Sequence, residues 1–266
     1  MKKHTLLFPV LCLLFCFVGC SGEKTVTMDT EESESNSENI SSGEESTVNT
    51  SENHNNIYTV NTKISDVISE PVFGSFGRLI FPVNSGYYSG NTLGELCLTW
   101  YNNIDADMTV EIVNTMYSKA EAGETIFYDI YTETEKEADP DKRNTGLFFF
   151  KGNPGAKFAI CNAGGGFAYV GAMHDSFPHA LELSKKGYNA FALIYRPGAQ
   201  TACEDLARAI AFIFEHAEEL EVDTDCYSLW GGSAGGRMTA YLSSYGTVAE
   251  GWVNDAVAFW EKQMIK

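Results

Sequence analysis

The sequence predicts an α/β fold, and three observations carry that prediction. From Lys157 onward, strand-like and helix-like segments alternate, which implies parallel pairing through right-handed crossovers. The run YNAFALIY at 188–195 is almost wholly apolar, as a strand covered on both faces should be. Residues 203–220 place Leu206, Ile210, Ile213, Phe214, Ala217 and Leu220 at three- and four-residue spacing, the period of an amphipathic helix.

Not all of the 266 residues belong to that fold. Lys2 and Lys3 precede an apolar run from Thr5 to Gly19, too short to span a bilayer and with the charge order of a secretory signal. The run ends in Val18-Gly19-Cys20, which resembles the lipobox of bacterial lipoproteins, although Phe17 stands where that motif usually has leucine. The resemblance implies cleavage after residue 19, a lipid on Cys20 and a cell-membrane lipoprotein facing away from the cytoplasm. A plain signal peptide or an uncleaved anchor is the alternative. Residues 21–56 hold nine acidic residues against Lys24 alone, interleaved with Ser, Thr, Asn and Gly. Such a segment cannot bury enough apolar surface to offset its ordering entropy, so it reads as a disordered tether between anchor and domain.

The net charge of −18 argues against nucleic acid as a partner, since that role needs basic patches. Seven cysteines divide by position. Cys12 and Cys16 leave with residues 1–20, Cys20 takes the lipid, and Cys97, Cys161, Cys203 and Cys226 remain. Export permits disulfides, but these four lack the spacing of a disulfide framework or a metal knuckle. They read as structural thiols, and neither a metal nor a cofactor is expected.

Folding signals begin near Ile57, with 57–145 as the first part of the domain and 146–266 as its core. Residues 108–122 form a helix, with Asp107 as its N-cap and Gly123 as its stop. Strand-like runs follow at 125–131 (TIFYDIY) and 146–150 (GLFFF), joined by the polar loop TETEKEADPDKRN. Then come the strand KFAIC at 157–161, the loop NAGGGFAYVGAMHDS, and a short helix from Phe177 closed by Gly187. After the buried run at 188–195 and the helix at 203–220, the strand CYSLW at 226–230 leads into a helix at 234–245.

Two stretches carry chemistry. Gly231-Gly232-Ser233-Ala234-Gly235 matches G-x-S-x-G on the turn between a strand and a helix. That turn is strained and lifts the serine hydroxyl to the carboxyl edge of the sheet, over the positive end of the following helix. Ser233 is the candidate nucleophile, and the Ala234 N–H a candidate oxyanion donor. Upstream, Ala163-Gly164-Gly165-Gly166-Phe167 follows KFAIC. Consecutive glycines there free backbone N–H groups to face a developing oxyanion, a contribution of roughly 3–4 kcal/mol per donor. A flexible turn or a phosphate loop is the alternative, but the spacing fits neither G-x-G-x-x-G nor a P-loop.

Together NAGGGFAYVG, FALIYRPG and LWGGSAGGRMTAYL resemble the esterase and lipase branch of the α/β-hydrolases that has an H-G-G-G oxyanion loop. They are similar in particular to secreted bacterial acetyl-xylan and feruloyl esterases, over about 146–245. The resemblance implies an α/β-hydrolase sheet flanked by helices, with Gly165 and Gly166 joining Ala234 as the oxyanion hole. Gly164, Phe167 and His174 would border the pocket, and Arg196 in YRPG would be structural. Ala163 replaces the motif's histidine, which affects loop packing more than the N–H donors.

The resemblance also implies a carboxylate and a histidine after the nucleophile in chain order. The five histidines are His4, His54, His174, His179 and His216, and none follows Ser233. His179 falls in the first turn of a short helix and reads as solvated, while His216 sits near a helix end where a cation suits the dipole. In the tail, Trp252, Val253, Ala256, Val257 and Trp260 make one apolar helical stripe. It is similar to the closing helix of these esterases, fused to the nucleophile helix near Gly246-Thr247. The fold is therefore expected to be truncated after the nucleophile helix, without the strands that bring acid and base; a short natural ending is the alternative.

Three functions compete on this reading: an ester hydrolase of small or carbohydrate-linked substrates, a non-catalytic binding descendant, and a serine peptidase of the same superfamily. Nothing in the chain resembles the large accessory domain that such peptidases carry.

Overall fold

A computed structural model of the chain describes residues 57–99 and 104–244. The expected signal at 1–20, the tether at 21–56 and the apolar stripe at 252–260 lie outside the described residues.

Among the described residues five strands make one mixed sheet in the order β3 (Phe127–Tyr128), β4 (Gly146–Phe150), β6 (Asn189–Ile194), β5 (Ala156–Asn162), β7 (Val222–Gly231). Ahead of it, β1 (Tyr88–Ser89) and β2 (Cys97–Leu98) form a small antiparallel pair. In the main sheet β4 pairs antiparallel with both β3 and β6, while β5 pairs parallel with β6 and β7. Ile160 lies opposite Phe191 on one side and Leu229 on the other. The expected α/β class holds, with two antiparallel pairings at one edge.

The helices are α1 (Ile64–Ile68), α2 (Ala106–Glu121), α3 (Glu133–Ala138), α4 (Ser176–Lys185), α5 (Ala199–Glu215) and α6 (Ser233–Ser244). Alternation along the strands assigns them to two faces. On one face Phe177 of α4 packs against Phe148 and Phe150. On the other, Phe149 stacks on Phe191 at 4.4 Å, and Phe212 and Phe214 of α5 meet Tyr128 and Phe158. Every residue of β4 and β6 is buried, which is why both read as nearly continuous apolar runs, with Asn189 as a buried polar exception.

Several element boundaries differ from the sequence reading. The cap of α2 is Asp105, whose side chain accepts the Met108 N–H at 3.0 Å, and Asp107 lies in the first turn. The strand expected over 125–131 is paired only at Phe127 and Tyr128; beyond them Asp129 turns to bind the buried Lys136 at 2.6 Å. The expected polar loop contains α3, because Thr132 and Glu135 form a reciprocal capping box, and a 3-10 turn at Pro140–Asn144. Helix α5 starts earlier than residue 203, directly after Gly198 (φ 102°), and stops at Glu215. There the His216 ring stacks on Phe212 at 4.3 Å and its Nδ1 meets Glu219 at 3.1 Å.

Arg196 has the structural role the sequence suggests. Asp205, wholly buried in α5, accepts from the Arg196 backbone N–H at 2.7 Å, from its Nη2 at 2.8 Å, and from the Tyr131 hydroxyl at 2.7 Å. Arg196 Nη1 reaches Asp139 at 2.6 Å. This network ties the end of β6 to α5 and to the segment before β4. Among the thiols, Cys161 is buried and Cys97 and Cys203 are partly exposed, all three free; burial pushes the Cys161 thiol far up, as an inert core sulfur should be. The side chain of Cys226 is outside the described residues.

Candidate active site

Strand β7 ends at Gly231, and α6 begins two residues later at Ser233. Ser233 has φ 48°, a left-handed conformation that a non-glycine residue adopts only under constraint, at about 1–3 kcal/mol. The constraint comes from close approach of backbones. A methyl group on Gly231 would fall 2.5 Å from the Gly235 carbonyl carbon, and one on Gly235 would fall 2.0 Å from the Asn162 oxygen. The glycines of G-x-S-x-G therefore let α6 press against its own strand and the end of β5. Asn162 reinforces the junction: its carbonyl accepts the Gly232 N–H at 3.3 Å, and its Nδ2 donates to the Trp230 carbonyl at 3.0 Å and to Thr239 at 3.2 Å. Ser233 is exposed, while Ala234 behind it is buried.

The glycine loop leaves β5 immediately after Asn162. Ala163 is fully buried, and its carbonyl accepts the Tyr195 hydroxyl at 2.7 Å. Gly165 has φ 146°, and a methyl group on it would lie 1.9 Å from the Tyr169 oxygen, so only glycine closes this turn. Its carbonyl accepts the N–H groups of Ala168 and Tyr169 at 3.0 and 3.3 Å. Gly166 and Phe167 follow, both with φ 61°, and the Phe167 carbonyl accepts the Gly198 N–H at 2.8 Å. Loop and serine turn meet: a methyl group on Gly164 would stand 3.1 Å from Ser233 Cβ. The Gly164 N–H is occupied by Asp175 Oδ2 at 2.7 Å. Among the described residues, the N–H groups of Gly165, Gly166 and Ala234 have no protein acceptor.

The histidines lie elsewhere. His174 occupies a 3-10 turn, Ala172–His174, with its ring against Gly171; burial pulls its pKa below 6.5, opposed by the Asp175 charge. His179, in the first turn of α4, is more than half exposed, with Nδ1 3.6 Å from Asp175 Oδ1. The Asp175 carboxylate beside it raises its pKa. Among the described residues no hydrogen bond joins Ser233 to any histidine or carboxylate. A separate cavity of about 410 Å³, lined by Phe81, Asp139, Tyr169, Tyr195 and Arg196, opens behind the glycine loop without including Ser233. Among the described residues no group of three or more His, Cys, Asp or Glu could hold a metal ion, and no helix is long and apolar enough to cross a membrane.

The arrangement presents an exposed serine on a strained turn packed against the glycine loop, and the N–H groups of Gly165, Gly166 and Ala234 have no protein acceptor among the described residues. Residues 151–263 match the family model described as BD-FAE, an α/β-hydrolase esterase family. This segment is similar to the α/β-hydrolase domains of esterases. The BD-FAE segment starts at the end of β4 and includes the glycine loop, α4, α5 and the serine turn. No curated protein matches the chain. Solved structures similar to it include a thermophilic esterase from the Planctomycetes species Thermogutta terrifontis, 26% identical over 36% of this chain and 38% of that one, with a TM-score of 0.33. A thermostable carboxylesterase cloned from a metagenomic library is 26% identical over 37% and 35%, also at 0.33. An acetyl ester-xyloside bifunctional hydrolase from Caldicellulosiruptor lactoaceticus is 21% identical over 45% and 46%, at 0.40. The chain spans less than half the length of each of these structures.

One residue of the site was not legible in the sequence. Asp175 belongs to no motif, and its place beside Gly164 and Gly232 follows only from the fold of the loop that carries it.

Proposed function

We propose that the protein is a serine carboxylic-ester hydrolase acting on small or carbohydrate-linked esters outside the membrane, tethered there by a lipid on Cys20. The observation that carries the reading is Ser233 at φ 48° with Gly164 packed on its Cβ. Ser233 Oγ attacks the ester carbonyl, and the negative oxygen of the tetrahedral intermediate is received by the N–H groups of Gly165, Gly166 and Ala234. Collapse expels the alcohol and leaves an acyl-serine, which water then hydrolyses.

Both steps need a base to take a proton and return it to the leaving group. Within these 266 residues no histidine follows Ser233. Among the described residues no histidine or carboxylate is hydrogen-bonded to Ser233, so its hydroxyl stays protonated at neutral pH, and we propose that the chain as given turns over poorly. Removing triad members still leaves roughly 10³–10⁴-fold catalysis over water in such sites, from the oxyanion donors and binding. A fluorophosphonate probe tests the site itself, because its phosphoryl oxygen takes the oxyanion's place. Slow labelling confined to Ser233, and lost in Ser233→Ala, supports the reading. Labelling no faster than at other surface serines would refute it and favour a protein that only binds.

A further inference from the structure

Asp175 follows the 3-10 turn Ala172–His174 and stands at the N-cap position of α4 without a side-chain capping bond, its side chain only 18% exposed. Its Oδ2 accepts the Gly164 N–H at 2.7 Å. A methyl group built on Gly232 would lie 2.8 Å from the same oxygen, and one on Gly164 would lie 3.5 Å from it. A single carboxylate oxygen thus fills the angle between the glycine loop and the turn that carries Ser233. We propose that Asp175 is a positioning residue that holds the Gly164-Gly165-Gly166 loop against the nucleophile turn, using the space a side chain at position 232 would need. The proposal rests on the reading of Ser233 and the glycine loop as an ester-hydrolysing site.

Three consecutive residues, Gly165, Gly166 and Phe167, have positive φ; glycine takes it freely, but for Phe167 it persists only when surrounding contacts over-determine it. On its far side the loop is held by the Gly171 N–H on the Gly164 carbonyl, at 3.0 Å, and by the Gly198 N–H on the Phe167 carbonyl. On the near side the hydrogen bond to Asp175 is the attachment, and a charged acceptor makes it a strong one. By consuming the Gly164 N–H it fixes that peptide plane, which sets the direction of the next two, the N–H groups offered to the substrate. Negative charge beside an oxyanion site opposes catalysis if it acts directly. Here Oδ2 is spent on Gly164 and Oδ1 faces His179, whose protonated form balances it.

The test uses the full chain, labelled with ¹⁵N, and reads backbone amide positions together with the rate of fluorophosphonate labelling. The Gly164 amide should lie downfield, as an N–H bound to a carboxylate does. Asp175→Ala should move the Gly164, Gly165 and Gly166 amides and slow Ser233 labelling about tenfold, a fraction of what loss of a whole oxyanion donor does. Asp175→Asn, which keeps an acceptor oxygen, should restore most of both. Gly232→Ala should disturb the Gly164 amide in the wild-type background and much less beside Asp175→Ala, because the methyl group and the carboxylate compete for one space. Loop amides unmoved by Asp175→Ala would overturn the inference. If that variant does not fold, the Asn variant and Gly232→Ala decide on the same amides. Amides that respond as described while no form of the chain is labelled would uphold the positioning role and refute the esterase reading.

Discussion

Gly235 and Asn162 are in backbone contact: a methyl group on the glycine would stand 2.0 Å from the asparagine carbonyl oxygen. Helix α6 therefore cannot keep its place over β5 with any other residue at 235, and no flexible side chain is available to yield. Gly235→Ala is expected to destabilise the domain by about 2–3 kcal/mol, the upper range for overpacking. Urea unfolding followed by circular dichroism measures this, and an unchanged midpoint would mean that α6 lies farther from β5.

The Arg196–Asp205 pair predicts a second stability effect. Asp205 is wholly buried, and Arg196 is nearly so. Asp205→Ala strands a buried guanidinium and should cost about 3–5 kcal/mol. Asp205→Asn keeps an acceptor for the Arg196 N–H and should cost less. Equal losses in the two variants would indicate that volume, not charge pairing, dominates at this position.

His174 and His179 give stability opposite slopes with pH. Burial lowers the native pKa of His174 below 6.5, so between that value and 6.5 the unfolded chain binds more protons, and stability rises with pH. The nearby Asp175 carboxylate raises the pKa of His179, so its contribution is fully present below 6.5 and is lost as pH rises through the native value. His179→Gln should flatten the decline above 6.5, and His174→Gln should flatten the rise below it. Urea midpoints taken across that range check both signs.

The proposed anchor rests on Val18-Gly19-Cys20. Cys20→Ser should release the protein from the membrane fraction or leave it unprocessed. Normal processing with unchanged membrane association would contradict a lipid at this position.

Much of the fold and half of the site were readable in the chain. Strands β4 and β6 stood out because burial on both faces leaves almost no polar position in the run, and the serine turn because its glycines recur at fixed offsets. Other features depend on partners distant in sequence. The edge strand β3 is short because Asp129 leaves the sheet for Lys136, and Asp175 matters only because loop closure carries it to Gly164 and Gly232. Helix α3 was within reach, since Thr132 and Glu135 spell a capping box, but the surrounding charge reads as a loop.

The proposed function places a nucleophilic Ser233 beside an oxyanion loop, with no base hydrogen-bonded to it among the described residues. Turnover of p-nitrophenyl acetate by the purified chain and by Ser233→Ala tests it most directly. Hydrolysis only slightly above buffer is expected, with little further loss in Ser233→Ala. Robust turnover abolished by that substitution would contradict it, by showing that a base reaches Ser233.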